Sequence, residues 1–405
     1  MRTYRRVLSA ADFRTLWLGA TTSTIGDGMT YVALSWLVLS GAGGATRLGL
    51  LAVCYTAPVV VGGLVAGPIL DRFDKRAVLV ADSVFRAALM ATIPITAAFQ
   101  ATPPFLLFIA AAGYGLLKML PLAGFPAAIP ALVAESDLDA ANALESLSFS
   151  VAGVLGPALS GVLIPIIGAA NVLAIDSATF LIFAIASARV RQPLRATTTA
   201  DQPAPPLRTL LDDRVIVLTT VAFMAFNIAE GMLLVTAPWL AKTTLTGSAT
   251  TLGVLLSLTA IGEIIGATTA GHRSTVTIRT IAAAQILAAA AYLTVLAPRS
   301  FVLAVGFLLV GLFSAPMTVW AQSLRMRRIP AALHGRAFAL LRTLMQGTLP
   351  LGSLLVTPFL VTDSVGQAAI AMSMIGGLPA LMLLVRRSAP GREAAQNHPS
   401  PETPN

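Results

Sequence analysis

The stretch Gly67-Pro-Ile-Leu-Asp-Arg-Phe-Asp-Lys-Arg76 sets five charges between two long apolar segments. A turn so charged cannot lie in hydrocarbon, where no water satisfies its polar groups, so it must emerge from a bilayer between two spanning helices. Its basic excess places it on the cytoplasmic side. The composition agrees with that setting. Of 405 residues, 56% are hydrophobic and 11% charged, with a mean hydropathy of +0.81, whereas a soluble domain carries about a quarter charged residues. The formal net charge of +9 follows from Lys and Arg collecting in cytoplasmic loops and facing anionic lipid, so no nucleic-acid partner is expected.

Taking about 20 apolar residues per crossing, the chain reads as an all-α polytopic membrane protein with twelve spans. The first six cover roughly 14–40, 46–70, 76–99, 104–125, 142–166 and 169–189, and the second six roughly 214–241, 248–270, 279–298, 300–324, 337–361 and 364–386. This divides the chain into a cytoplasmic amino terminus (1–13), a six-helix bundle (14–189), a cytoplasmic linker (190–213), a second six-helix bundle (214–386) and a disordered cytoplasmic tail (387–405). The linker contains the Pro/Thr-rich polar run 196–206, and the tail is equally poor in apolar residues. Arg2, Arg5 and Arg6 resemble the basic start of a signal peptide, but the apolar part that follows is too long and leads into further spans.

The distribution of basic residues tests this topology. Of the 27, 21 fall on the side that carries both termini, Arg47, Lys242 and Arg299 fall on the other side, and Arg86, Lys118 and Arg342 lie within spans. That bias predicts a multi-pass protein of the cell inner membrane with both termini cytoplasmic. One loop on the basic-rich side is acidic, and its Glu135, Asp137 and Asp139 are expected to have no basic partner. Cys54 is the single cysteine, so no internal disulfide or thiolate cluster can form.

A faint internal repeat supports two halves. Ile129-Pro130 followed by 141–147 is echoed by Ile329-Pro330 followed by 337–344, each pair preceding the penultimate helix of its half, and parallel repeats are one known design of secondary transporters. On these residues the chain resembles the major facilitator superfamily. Gly67, Asp71, Arg72, Lys75 and Arg76 match, in order, the signature between the second and third helices of that family. Within it, the chain looks most like the twelve-helix drug and siderophore exporters that work as proton antiporters. The runs 13–19, 26–36 and 126–144, and Gly153, Gly156, Pro157 and Gly161 on the fifth helix, carry that likeness. The resemblance implies that Asp71 acts as a latch, meeting the cytoplasmic start of helix 11 at His334-Gly335-Arg336 in the outward-open state. A carboxylate is stabilised by a helix amino terminus and a neighbouring guanidinium. The matching loop after helix 8, from Gly271 to Arg279, lacks the acidic residue.

Ionisable groups inside spans are costly, and each is a candidate for function with a partner to find. Asp27 lies near the middle of helix 1, where the resemblance implies a cavity wall, and is read as a proton carrier or as a hydrogen-bonded packing residue. Glu230 with Asn227 on helix 7, the counterpart of helix 1, either shares the proton, binds a cationic substrate, or is a hydrated carboxylate near the outer mouth. Glu263 on helix 8 and Arg342 on helix 11 are expected to form a structural ion pair. Asp82 and Arg86 share a helix face at i,i+4 and are expected to pair and support the signature loop. Lys118 on helix 4 reaches the cavity, snorkels towards the cytoplasm or meets Glu145. Asp176 on helix 6 resembles a family feature without an assigned role.

The chain shows no phosphate loop, nucleophile triad or metal-ligand spacing, and its three histidines lie in loops or the tail, so neither an enzyme nor a cofactor is expected. Without a nucleotide-binding domain the energy source is an ion gradient or the substrate's own gradient. The reading is a monomeric, proton-coupled exporter of a small amphipathic compound, such as a drug, antibiotic or siderophore-like metabolite. A proton-coupled importer or facilitator of a nutrient, and a non-transporting receptor on the same scaffold, remain alternatives.

Overall fold

In the computed structural model, residues 2–41, 43–194, 207–245, 247–271, 276–330 and 333–384 are described, and no strand occurs among them. The run 196–206 and the tail 387–405 lie outside the described residues, as do positions 272–275 of the loop after helix 8. Twelve long helices follow one another: α1 (Ala11–Ser40), α2 (Gly44–Arg72), α3 (Lys75–Ala98), α4 (Pro104–Leu132), α5 (Leu138–Ile167), α6 (Ala169–Arg189), α7 (Arg214–Thr244), α8 (Ala249–Gly271), α9 (Ile278–Leu296), α10 (Ser300–Arg328), α11 (Arg336–Val361) and α12 (Val365–Leu384). Eleven of them are long and apolar enough to cross a membrane. The remaining one, α1, has the length, at 30 residues, but is diluted by Thr21, Thr22, Ser23, Thr24, Asp27 and Thr30.

Local chemistry sets the helix starts. Asp74 begins α3 by accepting from the backbone N–H groups of Arg76 (2.9 Å) and Ala77 (3.3 Å), and Asp213 caps α7 through Val215 (2.7 Å) and Ile216 (3.3 Å). Each satisfies amide donors that the first turn leaves without intrahelical partners. Thr277 and Thr280 cap α9 reciprocally. Gly168, at φ 83°, makes the sharp turn between α5 and α6 in a region that favours glycine.

The signature stretch lies at the end of α2 and the start of α3. Its basic pair reaches sideways: Arg76 donates to the Val190 carbonyl (2.8 Å) and the buried Lys75 to that of Leu194 (3.4 Å), tying α3 to the chain leaving α6. A short amino-terminal helix, Arg2–Ser9, docks nearby. Arg6 donates from Nε to Asp137 Oδ2 (2.7 Å), and the Asp12 carboxylate accepts from the N–H groups of Arg191 (3.0 Å) and Gln192 (3.1 Å). The acidic loop therefore does have a basic partner, 131 residues away, and the hydrogen bond from Arg6 holds the Asp137 carboxyl below the usual carboxylate range.

The two halves meet mainly along α2 with α11 and α5 with α8, with smaller contacts of α7 on α2 and of α1 on α7 and α8, and the contacts are uneven along their length. At the end remote from the signature stretch they are close. Tyr31 Oη donates to the Leu234 carbonyl (3.0 Å), Thr250 Oγ1 to that of Gly161 (2.7 Å), and the Lys242 ammonium lies 4.6 Å from the centre of the Trp36 ring. Gly49 and Gly161 permit this approach: a Cβ at Gly49 would collide with Thr357 Oγ1, and one at Gly161 would lie 3.1 Å from the Thr250 Cα. At the other end α2 and α11 part. A Cβ at Gly63 would still reach Thr343 (3.6 Å), whereas one at Gly67 would meet nothing within 4 Å. Asp71 and Arg336 are both exposed, and no ion pair joins them among the described residues. The molecule is closed at one end and open at the end that carries the signature stretch. In a Cys54→Ser background, a short bifunctional thiol reagent should cross-link the pair Trp36→Cys/Lys242→Cys rapidly and the pair Asp71→Cys/Arg336→Cys slowly. Equal rates for the two pairs would contradict the asymmetry.

Candidate functional site

Between the halves lies a cavity of about 540 Å³. Its walls come mainly from α1 (Ser23, Thr24, Asp27, Tyr31), α4 (Tyr114, Lys118) and α5 (Phe149, Ala152, Gly153, Pro157), with Tyr55 from α2, Arg86 from α3, Leu234 from α7 and Glu263 from α8. The cavity extends past Ala20, Phe125 and Phe183 towards the open end.

Its charged centre is assembled around Arg86. Arg86 is completely buried and donates from Nη2 (2.8 Å) and Nε (3.1 Å) to Asp82 Oδ2 on its own helix, and from Nη1 to Asp27 Oδ1 (3.2 Å) on α1. The guanidinium stacks 4.2 Å from the Phe180 ring of α6 and 5.9 Å from the Tyr114 ring of α4, a cation–π arrangement that gains strength where water is excluded. The expected Asp82–Arg86 pair is present. The same guanidinium also reaches across to Asp27. The two carboxylates are not equivalent: the Asp82 side chain is wholly buried, while that of Asp27 remains 24% exposed and faces the cavity.

Behind Asp27 sits Asp176, also fully buried, accepting from Thr30 Oγ1 (2.5 Å) and Thr179 Oγ1 (3.4 Å). Gly26 makes this possible, since a Cβ there would collide with Asp176 Oδ1. The residue that sequence reading left without a role is thus a third carboxylate within electrostatic reach of Asp27. The signal for it was available as an acidic residue in the apolar run 172–183. Lys118 faces the cavity with its ammonium 5.5 Å from the centre of the Tyr55 ring. No ion pair joins it to Glu145 among the described residues. Tyr55 stacks on Tyr114 (4.9 Å) and tilts against Tyr31 (5.0 Å), so three phenol rings line one wall.

The second half is built differently. Glu230 accepts a hydrogen bond from Tyr292 Oη (2.6 Å), whereas the Asn227 amide bonds within its own helix to the Phe223 carbonyl (2.9 Å) and makes no hydrogen bond to Glu230. Glu263 and Arg342 do not form the expected ion pair. Arg342 acts on Glu145 and Lys118 instead, and Glu263 lines the cavity within reach of Glu230. The two helices are not packing partners: α8 lies mainly against α10 and α5, and α11 against α7 and α2. Arg325, assigned by sequence to a loop, is buried at the end of α10, stacked 4.9 Å from the Phe223 ring, and donates to Met345 Sδ at 3.5 Å.

The helix-5 glycines serve two contacts. Gly156 packs on α1, where a Cβ would come within 2.6 Å of the Gly28 Cα, and Pro157 flanks the same contact. Gly153 and Gly161 face α8 in the other half, with Ala260 and Thr250 as their neighbours. One helix thus presents small residues both to its own bundle and to the interface between the halves, which allows close backbone approach on each side.

The sequence matches, over residues 6–405, the profile of a family described as a transmembrane secretion effector. It is 24% identical over 393 residues to an uncharacterised MFS-type transporter of Sinorhizobium fredii, covering 94% of this chain and 96% of that one. It is 25% identical over 392 residues to the multidrug efflux pump Tap of Mycolicibacterium fortuitum, covering 90% and 92%. Among solved structures, a mutant of the nucleoside transporter NupG superposes with a TM-score of 0.74 at 13% identity, over 92% of this chain and 99% of that one.

Removing one partner of a buried ion pair strands the other charge, at a cost of about 3–5 kcal/mol. Arg86→Gln should therefore lower the thermal unfolding midpoint in detergent strongly, and adding Asp82→Asn to that variant should recover much of the loss. A single substitution that melts like the wild type would show that the pair contributes little.

Proposed function

Because the chain belongs to the transmembrane secretion effector family of major facilitator transporters, we propose that it exports a small amphipathic compound in exchange for protons by alternating access between its two six-helix halves. The observation that carries this reading is the pairing of a partly hydrated Asp27 with a dry Arg86 that already has Asp82 as its counter-charge. Asp82 keeps Arg86 neutralised whatever the state of Asp27. Asp27 is then free to gain and lose a proton from the cavity without stranding the guanidinium.

Closing the cavity over an ionised group costs several kcal/mol per ion unless the charge is paired or removed. Protonation of Asp27, or its contact with Arg86, meets that condition in the empty carrier. A bound cationic substrate that takes the place of the proton beside the Asp27 carboxylate would favour release of that proton, which gives exchange. Asp176 and Lys118 set the field around this step. Glu230, held by Tyr292 in the second half, serves as a further carboxylate for proton or cation. The likeness to a multidrug efflux pump along most of both chains and the largely apolar, aromatic cavity wall support an amphipathic cargo.

The bias of 21 basic residues against three favours a cytoplasmic location for the open end in the cell inner membrane, which makes this the inward-facing state. Asp71, exposed here, is then available to engage Arg336 when that end closes. Cells that carry the protein should tolerate at least one amphipathic compound in a panel better than cells that lack it, and should accumulate less of it. Asp27→Asn should abolish the pH-gradient-driven part of this efflux in vesicles while leaving insertion normal. Full proton-driven efflux by Asp27→Asn would remove that residue from the coupling step. Asp71→Asn should slow turnover without changing substrate binding, and an unchanged rate would dismiss the latch.

A further inference from the structure

Glu263 occupies a place that the coupling step does not use. It lines the central cavity and also an adjoining pocket of about 350 Å³, whose walls are Phe149, Ser150 and Gly153 of α5 together with Ser314 and Thr318 of α10. Phe149, Gly153 and Glu263 border both spaces, so the two meet at those residues. The pocket follows the seam between the halves. Towards the closed end α5 and α8 are joined by Thr250 to Gly161 and by Ser257 Oγ to the Val154 carbonyl (2.9 Å). A Cβ at Gly153 would lie 3.3 Å from that of Ala260, which continues this contact, and Glu263 lies one turn further on towards the open end. Phe149 and Val319, which both line this pocket, are 40% and 37% exposed.

Among the described residues Glu263 has neither an ion pair nor a hydrogen bond, and the charge within its reach is another carboxylate, Glu230. A carboxylate at membrane depth is expensive without a partner, and a cation arriving from outside the chain supplies one. The neighbouring ring of Phe149 offers apolar area and a π face to such a cation, and the hydroxyls of Ser150, Ser314 and Thr318 offer polar contacts. We propose that Glu263 and Phe149 form a docking site for amphipathic monovalent cations, which enter from the lipid leaflet through the seam between α5 and α8 before reaching the central cavity. This deepens the transport reading, and rests on it, by naming the charge class of the cargo and its route.

The test uses tetraphenylphosphonium as the probe, measured by equilibrium binding to the purified full-length protein in nanodiscs with no ion gradient. The wild type should bind it, Glu263→Gln should weaken binding at least about tenfold, and Glu263→Asp should recover part of the loss. Triphenylphosphine oxide, similar in its rings but neutral, should compete poorly against the wild type. Ser314→Trp, which fills the side pocket and keeps the carboxylate, should slow the association rate. The assignment is overturned if the wild type does not bind the probe, or if Glu263→Gln binds it as tightly as the wild type. An unchanged association rate in Ser314→Trp overturns the lateral route. Because binding needs no gradient, a protein that binds the cation without exporting anything contradicts the transport reading alone. Export that continues while binding ignores Glu263 contradicts this inference alone.

Discussion

The structure depends on a buried guanidinium. Arg86 is wholly sequestered, and an uncompensated charge in such a place would not be tolerated. Three helices converge to compensate it: α3 through Asp82, α1 through Asp27 and α6 through the face of Phe180. That requirement fixes which side of α1 turns inward, and hence which residues line the cavity. A well-packed apolar trio of similar volume would often be as stable or more so. Stability is therefore a weak explanation for a buried ionic cluster, and its asymmetry in solvent access suits the proposed exchange of a proton at Asp27.

The two halves share an architecture but differ in electrostatics. The first surrounds its carboxylates with Arg86 and Lys118. The second leaves Glu230 with a phenol and Glu263 with no hydrogen-bond or ion-pair partner among the described residues. A cavity framed in this way attracts cations from one wall while a fixed cation stands on the other. The small residues at the closed end complement this, since Gly49, Gly161 and Gly253 let facing backbone or short side chains approach closely.

The spans were legible because hydrocarbon thickness and the helical rise together fix a length of about 20 apolar residues, and the observed helices begin and end within a few residues of that reading, except that α4 runs on to Leu132. The Asp82–Arg86 pair was legible because it is local, at i,i+4. Contacts between distant segments were not. Asp27 lies 59 residues from Arg86 and Asp137 lies 131 residues from Arg6, and a single sequence carries no record of which helix faces turn towards each other. The misplaced Glu263–Arg342 pair has the same origin: depth along a span can be counted from sequence, but which helices of a bundle pack together cannot, and α8 and α11 are not packing partners. Arg325 escaped notice because a charge near a helix end reads as a loop residue, although stacking on Phe223 draws it inside.

The signature stretch separates into fixed and free parts. Asp74 caps α3, and Lys75 and Arg76 hold the chain beyond α6, so those three serve the fold of the first half. Arg72 lies beside Phe73. Asp71 alone among the acidic members is exposed without a hydrogen bond or ion pair among the described residues, one helical turn past Gly67, where α2 meets nothing. A charged loop needed only to fix topology would use its basic residues and could dispense with this carboxylate. Its freedom in the open state is what a latch requires, because a group already satisfied here would have to break a bond before it could make one across the closing gap.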